Sequence, residues 1–275
     1  MLDDDVQLCR LTANDLAAAL ELSVEAGWNQ TVADWRTLIE LGPNTCLGIK
    51  IRGQLVSTST LICYGQRLGW IGMVLTRSSH RGQGYAKRLL TETLRISDEL
   101  GIASVKLDAT DQGQPLYEKI GFRTEQPVER WERKAHQSRE SSEEASSGGT
   151  NIDFAADQAA FGADRSSLLR KLSQNGRGYV RDHPFLLTRS GRTHRYLGPC
   201  VSDSFDDART LIDDALRASS ECNWYWDMLT NNTNVVGLAR DFGFTPKRHL
   251  LRMVRGDSLR GSETNIYSLA GFEFG

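Results

Sequence analysis

Two heptapeptides 122 residues apart carry one pattern. Leu116-Tyr117-Glu118-Lys119-Ile120-Gly121-Phe122 corresponds to Leu238-Ala239-Arg240-Asp241-Phe242-Gly243-Phe244. At the same offset Arg130-Trp131-Glu132-Arg133 falls on Arg252-Met253-Val254-Arg255. Before each, a strand-like segment holds an acidic residue: Val105-Lys106-Leu107-Asp108 and Trp224-Tyr225-Trp226-Asp227. Further upstream, Trp70-Ile71-Gly72 matches Tyr196-Leu197-Gly198. Four matches in the same order point to duplication of one fold. Each copy reads strand, turn, helix, strand, loop, short helix ending at Gly-Phe, strand.

The seam between the copies is visible. Residues 137–151 contain no large apolar side chain, so they cannot bury enough surface to offset their ordering entropy. The reading is residues 1–134 as one domain, 135–153 as a polar linker and 154–275 as a second domain with a C-terminal tail. A length of 275 residues suits two modest domains. Charge excludes a backbone-driven nucleic-acid binder. Residues 1–134 carry 16 basic and 17 acidic groups, and residues 154–275 carry 16 and 14. No apolar run is long enough to span a membrane, and the acidic start Asp3-Asp4-Asp5 is unlike a signal peptide. Five scattered cysteines without a Cys-x-x-Cys indicate neither a disulfide framework nor a zinc ribbon. A reducing cytoplasm is the expected location, with no metal.

The chemistry gathers at a Gly-rich turn. Leu68 to Thr76 reads as a strand. Arg81-Gly82-Gln83-Gly84-Tyr85-Ala86 follows, then a helix to about Leu100 with Leu89, Leu90, Thr93, Leu94 and Ser97 on one face. Gly101 is a natural stop. No Ser, Thr, Asp or Asn stands at the obvious cap, so the first N–H groups of this helix lack a side-chain partner. A phosphate would satisfy them, and the glycines let the backbone approach it. A Walker loop is absent, and Lys87 stands where a dinucleotide fingerprint needs its third glycine.

The spacing Arg-x-x-Gly-x-Ala resembles the coenzyme A pyrophosphate loop of the Gcn5-related N-acetyltransferase (GNAT) superfamily. Leu116 to Phe122 resembles the late GNAT helix whose tyrosine faces the coenzyme sulfur. The resemblance implies an α/β (α+β) fold: two tandem GNAT-like domains, each a mixed, mostly antiparallel sheet flanked by helices. It implies acetyl-coenzyme A as acyl-donor cosubstrate. Arg81, Gly82, Gln83, Gly84, Tyr85 and Ala86 would hold the pyrophosphate, and the backbone of Met73, Val74 and Leu75 the pantetheine. Tyr117 would be the general acid.

The second copy lacks this equipment. Ser204 falls on Gly82, Asp206 on Gly84 and Ala239 on Tyr117. Ser204 or Asp206 can cap the helix, and Asp206 with Asp207 would repel a pyrophosphate. One coenzyme site is therefore expected, in the first half. A degenerate second half resembles the YitH-like group of the superfamily. That likeness rests on Tyr196-Leu197-Gly198-Pro199, Asn231-Asn232-Thr233-Asn234, Phe242-Gly243-Phe244 and the ending Ile266 to Gly275.

On the acceptor side, Trp28 and Asn29 read as an apolar wall beside a polar group. Alternatively, Trp28 and Trp35 are core and Asn29 caps the next helix. Asp108, Glu25, His80 and Asp111 are candidate general bases. The tail Ile266–Phe274 reads as a last strand, or as a segment reaching the domain interface. A small-molecule amine is the expected acceptor, without nucleic acid or membrane partners, for a monomer or homodimer. A non-catalytic acyl-coenzyme A sensor or assembly subunit is the alternative.

Overall fold

The computed structural model describes residues 6–135 and 152–275. The expected linker core, 137–151, lies outside the described residues. The first half runs β1 (Val6–Arg10), α1 (Leu16–Glu25), α2 (Val32–Leu41), β2 (Leu47–Ile51), β3 (Gln54–Tyr64), β4 (Leu68–Thr76), α3 (Tyr85–Glu99), β5 (Ser104–Ala109), α4 (Gln114–Lys119) and β6 (Arg123–Arg133). The second runs α5 (Phe154–Phe161), α6 (Ser166–Asn175), β7 (Gly176–Val180), β8 (Phe185–Ser190), β9 (Arg195–Val201), α7 (Phe205–Arg217), β10 (Trp224–Leu229), α8 (Thr233–Asp241), β11 (Thr245–Gly256) and β12 (Ile266–Ser268). From α1 to β6 and from α5 to β11 the order of elements is the same. The repeat read from the heptapeptides is thus a repeat of architecture.

Local rules account for the helices. Thr31 caps α2, accepting from the Asp34 amide while Asp34 accepts from the Thr31 amide, a capping box. Helix α3 buries Leu89, Leu90, Thr93, Leu94 and Ser97, the face expected from helical spacing. It stops before Gly101, which takes a left-handed φ of 68°.

The halves are not separate sheets. One sheet runs in the order β1-β2-β3-β4-β5-β11-β6-β10-β9-β8-β7, with β12 attached to β9. Each half gives its last long strand to the other: β11 pairs antiparallel with β5, and β6 pairs antiparallel with β10. The two exchanged strands pair with each other at the centre. Only β4–β5 and β9–β10 run parallel. The exchange explains the repeated charges. Arg130 on β6 donates to both oxygens of Asp227 on β10, at 2.7 and 2.6 Å. Arg252 on β11 donates to both oxygens of Asp108 on β5, at 2.9 and 3.0 Å. The matching residues of the two copies form reciprocal ion pairs across the seam.

The tail completes the joining, and both expectations for it hold. Ile266–Ser268 is a strand, and the residues after it enter the first half. Tyr64 donates its hydroxyl to the Phe274 carbonyl at 2.6 Å and Trp70 its indole N–H to the Phe272 carbonyl, while Arg165 of the second half donates to the Gly275 carbonyl. One apolar cluster therefore contains Trp35, Tyr64 and Trp70 together with Phe161, Phe185 and Phe274. Burial of that size dominates folding energetics.

Candidate active site

Strands β4 and β5 pair from Leu68 with Ser104 to Trp70 with Lys106, and their pairing ends there. Just beyond, β4 bulges. Its pairing with β3 steps from Leu75 with Thr58 to Gly72 with Thr60, and Met73 takes a left-handed φ of 47°. For a residue with a side chain that conformation costs roughly 1–2 kcal/mol. The bulge is held by Thr58, whose hydroxyl donates to the Met73 carbonyl at 2.8 Å. Such strain collects at functional positions. A cavity of about 90 Å³ fills the gap, walled by Gly72, Met73, Val74, Leu107 and Tyr117 on the side of these strands. Leu75, expected beside Val74, is buried and does not line it.

The Gly-rich turn leads into α3. Gly82 and Gly84 take φ of 77° and 82°, and a Cβ at either would meet nothing within 4 Å. The space over this turn is thus free of protein. Gly84 is the N-cap of α3 and supplies no side-chain hydrogen bond. The uncapped N–H groups and the dipole end suit a phosphate, so the residues present fit the coenzyme. Arg81 is tied back by its Nε, which donates to the Thr76 carbonyl at 3.2 Å. Gln83 is exposed, and Ala86 is half-buried in the first turn. Tyr85 packs its ring on the cluster of Leu47, Ile49, Val56 and Leu89.

Tyr117 sits on α4 and lines the cavity, 8% exposed and edge-on to Phe122. Its hydroxyl has no hydrogen-bond partner among the described residues, and burial pushes the phenol above its ordinary value. It is therefore protonated throughout the neutral range.

The acceptor-side expectation divides. Trp28 lines the cavity. Asn29 does not, and it caps no helix, since Thr31 does that. Its amide instead clamps a turn of the second half. Nδ2 donates to the His194 carbonyl at 2.9 Å, and Oδ1 accepts from the Thr193 and His194 amides and the Thr193 hydroxyl. Both polar atoms of the Asn29 side chain are thereby engaged in structure. Trp35 is core, fully buried, with its indole donating to Ser23.

The four candidate bases fare poorly. Glu25 is exposed and accepts from the Ser78 amide and Arg77. His80 shares its Nδ1 with the Ser79 hydroxyl outside the cavity, and Asp111 is exposed. Asp108 lines the cavity, but both its oxygens are held by Arg252. Sequence reasoning missed other polar cavity residues, among them Gln30, Arg130, Arg248 and Glu273. Glu273 is buried; its Oε1 accepts from Arg189 at 2.7 Å and its Oε2 from the Gln30 amide at 3.0 Å. Burial raises its carboxyl above the ordinary value, opposed by Arg189. A charge set between Phe272 and Phe274 was the available signal, since an acid flanked by core aromatics must find buried partners. No group of three His, Cys, Asp or Glu side chains among the described residues could hold a metal ion.

The corresponding gap of the second half is filled. Strands β9 and β10 pair from Arg195 with Trp224 to Leu197 with Trp226. Beyond that β12 takes the place beside β9, pairing Ile266 with Val201 and Ser268 with Cys200. The Leu269 amide donates to the Asp227 carbonyl on β10, and the Trp226 indole to the Tyr267 carbonyl. Ser204 caps α7 by accepting from the Asp207 amide, and Ala239 is buried where α4 has Tyr117.

Comparison with known proteins agrees with both halves. Residues 14–122 match a profile described as the acetyltransferase (GNAT) family, and residues 154–268 one described as an acetyltransferase (GNAT) domain. The chain is 31% identical over 175 residues to the uncharacterized N-acetyltransferase YitH of Bacillus subtilis, covering 60% of each. It thus spans less than two thirds of that curated relative. A solved structure from Pyrococcus horikoshii, provisionally assigned as an acetyltransferase, superposes with a TM-score of 0.86 at 19% identity, over 100% of this chain and 98% of that one. A tandem GNAT protein from the clavulanic acid biosynthesis pathway superposes at 0.64 and 13% identity, over 92% and 98%. These likenesses concern fold. With both halves matched by the same superfamily, the chain belongs to the GNAT acetyltransferases and carries two of their domains in tandem.

Proposed function

We propose that the chain is an N-acetyltransferase that moves an acetyl group from acetyl-coenzyme A to a primary amine by direct attack in a ternary complex. The supporting observation is the cavity between the diverging β4 and β5, lined by the left-handed Met73 and by Tyr117. Residues 1–134 would carry the reaction. Residues 154–275 would brace it and supply Arg248, Phe272 and Glu273 to the acceptor wall, with 135–153 as connector.

In this reading Arg81, Gly82, Gln83, Gly84, Tyr85 and Ala86 cradle the pyrophosphate on the first turn of α3. The backbone of Met73, Val74 and Leu75 holds the pantetheine amides and polarises the thioester. The bound cosubstrate supplies the thioester carbonyl. The amine nitrogen bonds to that carbon as the carbon–sulfur bond breaks. Tyr117 gives its phenolic proton to the departing sulfur, and Glu273 receives the proton lost by nitrogen. Glu273 suits this better than Asp108, because one of its oxygens is held only by the neutral Gln30 amide. Asp108 has both oxygens on a guanidinium, which weakens it as a base. Trp28 forms the apolar wall, and Asn29 supports it by fixing the turn at 191–194.

Thiol release from acetyl-coenzyme A, measured across a panel of amines, tests the reading. The expected result is amine-dependent release that Tyr117→Phe lowers about 10²–10⁴-fold in kcat with little change in the acetyl-coenzyme A KM. Coenzyme binding without turnover of any amine would favour a sensor instead.

A further inference from the structure

The cavity holds four charged side chains, and three are already matched. Arg130 is paired with Asp227, Asp108 with Arg252, and Glu273 with Arg189. Arg248 is the exception: among the described residues no carboxylate pairs with it. Its guanidinium lies 5.6 Å from the centre of the Trp28 ring, against the same wall. It is half-buried; burial and the nearby Arg130 disfavour its charge, and Asp227, already paired with Arg130, favours it. A partly desolvated cation without an ion pair of its own suits an anion from a ligand.

Glu273 already accepts from Arg189 and from the Gln30 amide. Among the described residues the cavity thus offers one unpaired cation and no unpaired carboxylate. The neighbouring guanidinium groups favour the neutral, nucleophilic form of a bound amine. A second positive charge on the acceptor would meet repulsion from them.

We propose that the acceptor is a small primary amine that also carries an anionic group, a carboxylate or a phosphate, which pairs with Arg248. The proposal rests on the acetyltransferase reading above, and binding and turnover test the two apart. Calorimetry on the full chain saturated with coenzyme A compares β-alanine, O-phosphoethanolamine, ethanolamine and putrescine. At least one of the first two binds with a Kd about tenfold or more below those of the other two, as a charge-assisted hydrogen bond implies. The stronger of the two anionic amines identifies the anion. Arg248→Ala removes the difference and Arg248→Lys keeps most of it; Arg248→Gln serves if the alanine variant does not fold. The proposal is overturned if neither anionic amine binds, if ethanolamine or putrescine binds as tightly, or if the preference survives loss of the guanidinium. An anionic amine that binds through Arg248 yet releases no thiol from acetyl-coenzyme A sinks the acetyltransferase reading and leaves the site assignment standing.

Discussion

Asp227→Ala should destabilise the whole chain, because Asp227 and Arg130 belong to different halves of one sheet. Arg130 Nε and Nη2 meet both carboxylate oxygens at 2.7 and 2.6 Å, with the two side chains 7% and 2% exposed. At about 4 Å between charges and an effective dielectric constant of about 20, the attraction is worth roughly 4 kcal/mol. Desolvation offsets much of that, so the pair itself contributes little net stability. Removing only Asp227 leaves Arg130 charged, buried and without its anion, which costs about 3–5 kcal/mol. Against a total stability of about 5–15 kcal/mol this is a large fraction. Urea denaturation should show the midpoint falling with the slope unchanged. The double variant Arg130→Met, Asp227→Leu should recover most of the loss, since neither charge then remains buried alone. A single-variant cost below about 1 kcal/mol, or a double variant equal to the sum of the singles, would mean that the two charges are not coupled across the seam.

Other consequences are as direct. Gly72→Ala places a Cβ 2.9 Å from the Glu273 carbonyl oxygen, so it should displace the tail, cost about 1–3 kcal/mol and reduce turnover; thermal melts and kcat/KM measure both. Asn29→Ala should cost about 1–3 kcal/mol by freeing the turn at 191–194, with the acetyl-coenzyme A Kd unchanged in calorimetry. Tyr117 must be protonated to act as an acid, and burial raises its pKa above the ordinary 10.0. The kcat profile should therefore show no decline from the phenol between about pH 7 and 9.5. A falling limb below pH 9 that Tyr117→Phe abolishes would contradict this.

What the sequence revealed was local. The uncapped start of α3, the glycines at 82 and 84 and the apolar face ending at Gly101 are each decided within a few residues. Tyr117 was legible through its Gly-Phe neighbours. The strand exchange was not. Residues 123–133 and 245–256 alternate in a way that suits a partner in either half, and nothing local separates them. Arg130 and Asp108 were seen as repeated residues, but their partners lie 97 and 144 positions away. The repeat itself held the clue: the same Arg and Asp in both copies are what reciprocal pairing requires. Asn29 was misjudged because its neighbour Trp28 does face the cavity. Adjacent residues in a loop before a helix point different ways, and the turn that Asn29 clamps is more than 160 positions away. Arg248 gave no signal, being one of three arginines on β11.

In the proposed function only the first half accepts the coenzyme, because β12 occupies the matching gap of the second. Titration calorimetry of the intact chain with acetyl-coenzyme A decides this. One molecule should bind per chain, and none to a Gly84→Glu variant that still melts cooperatively. Two molecules per chain, or a single site that survives Gly84→Glu, would rule it out.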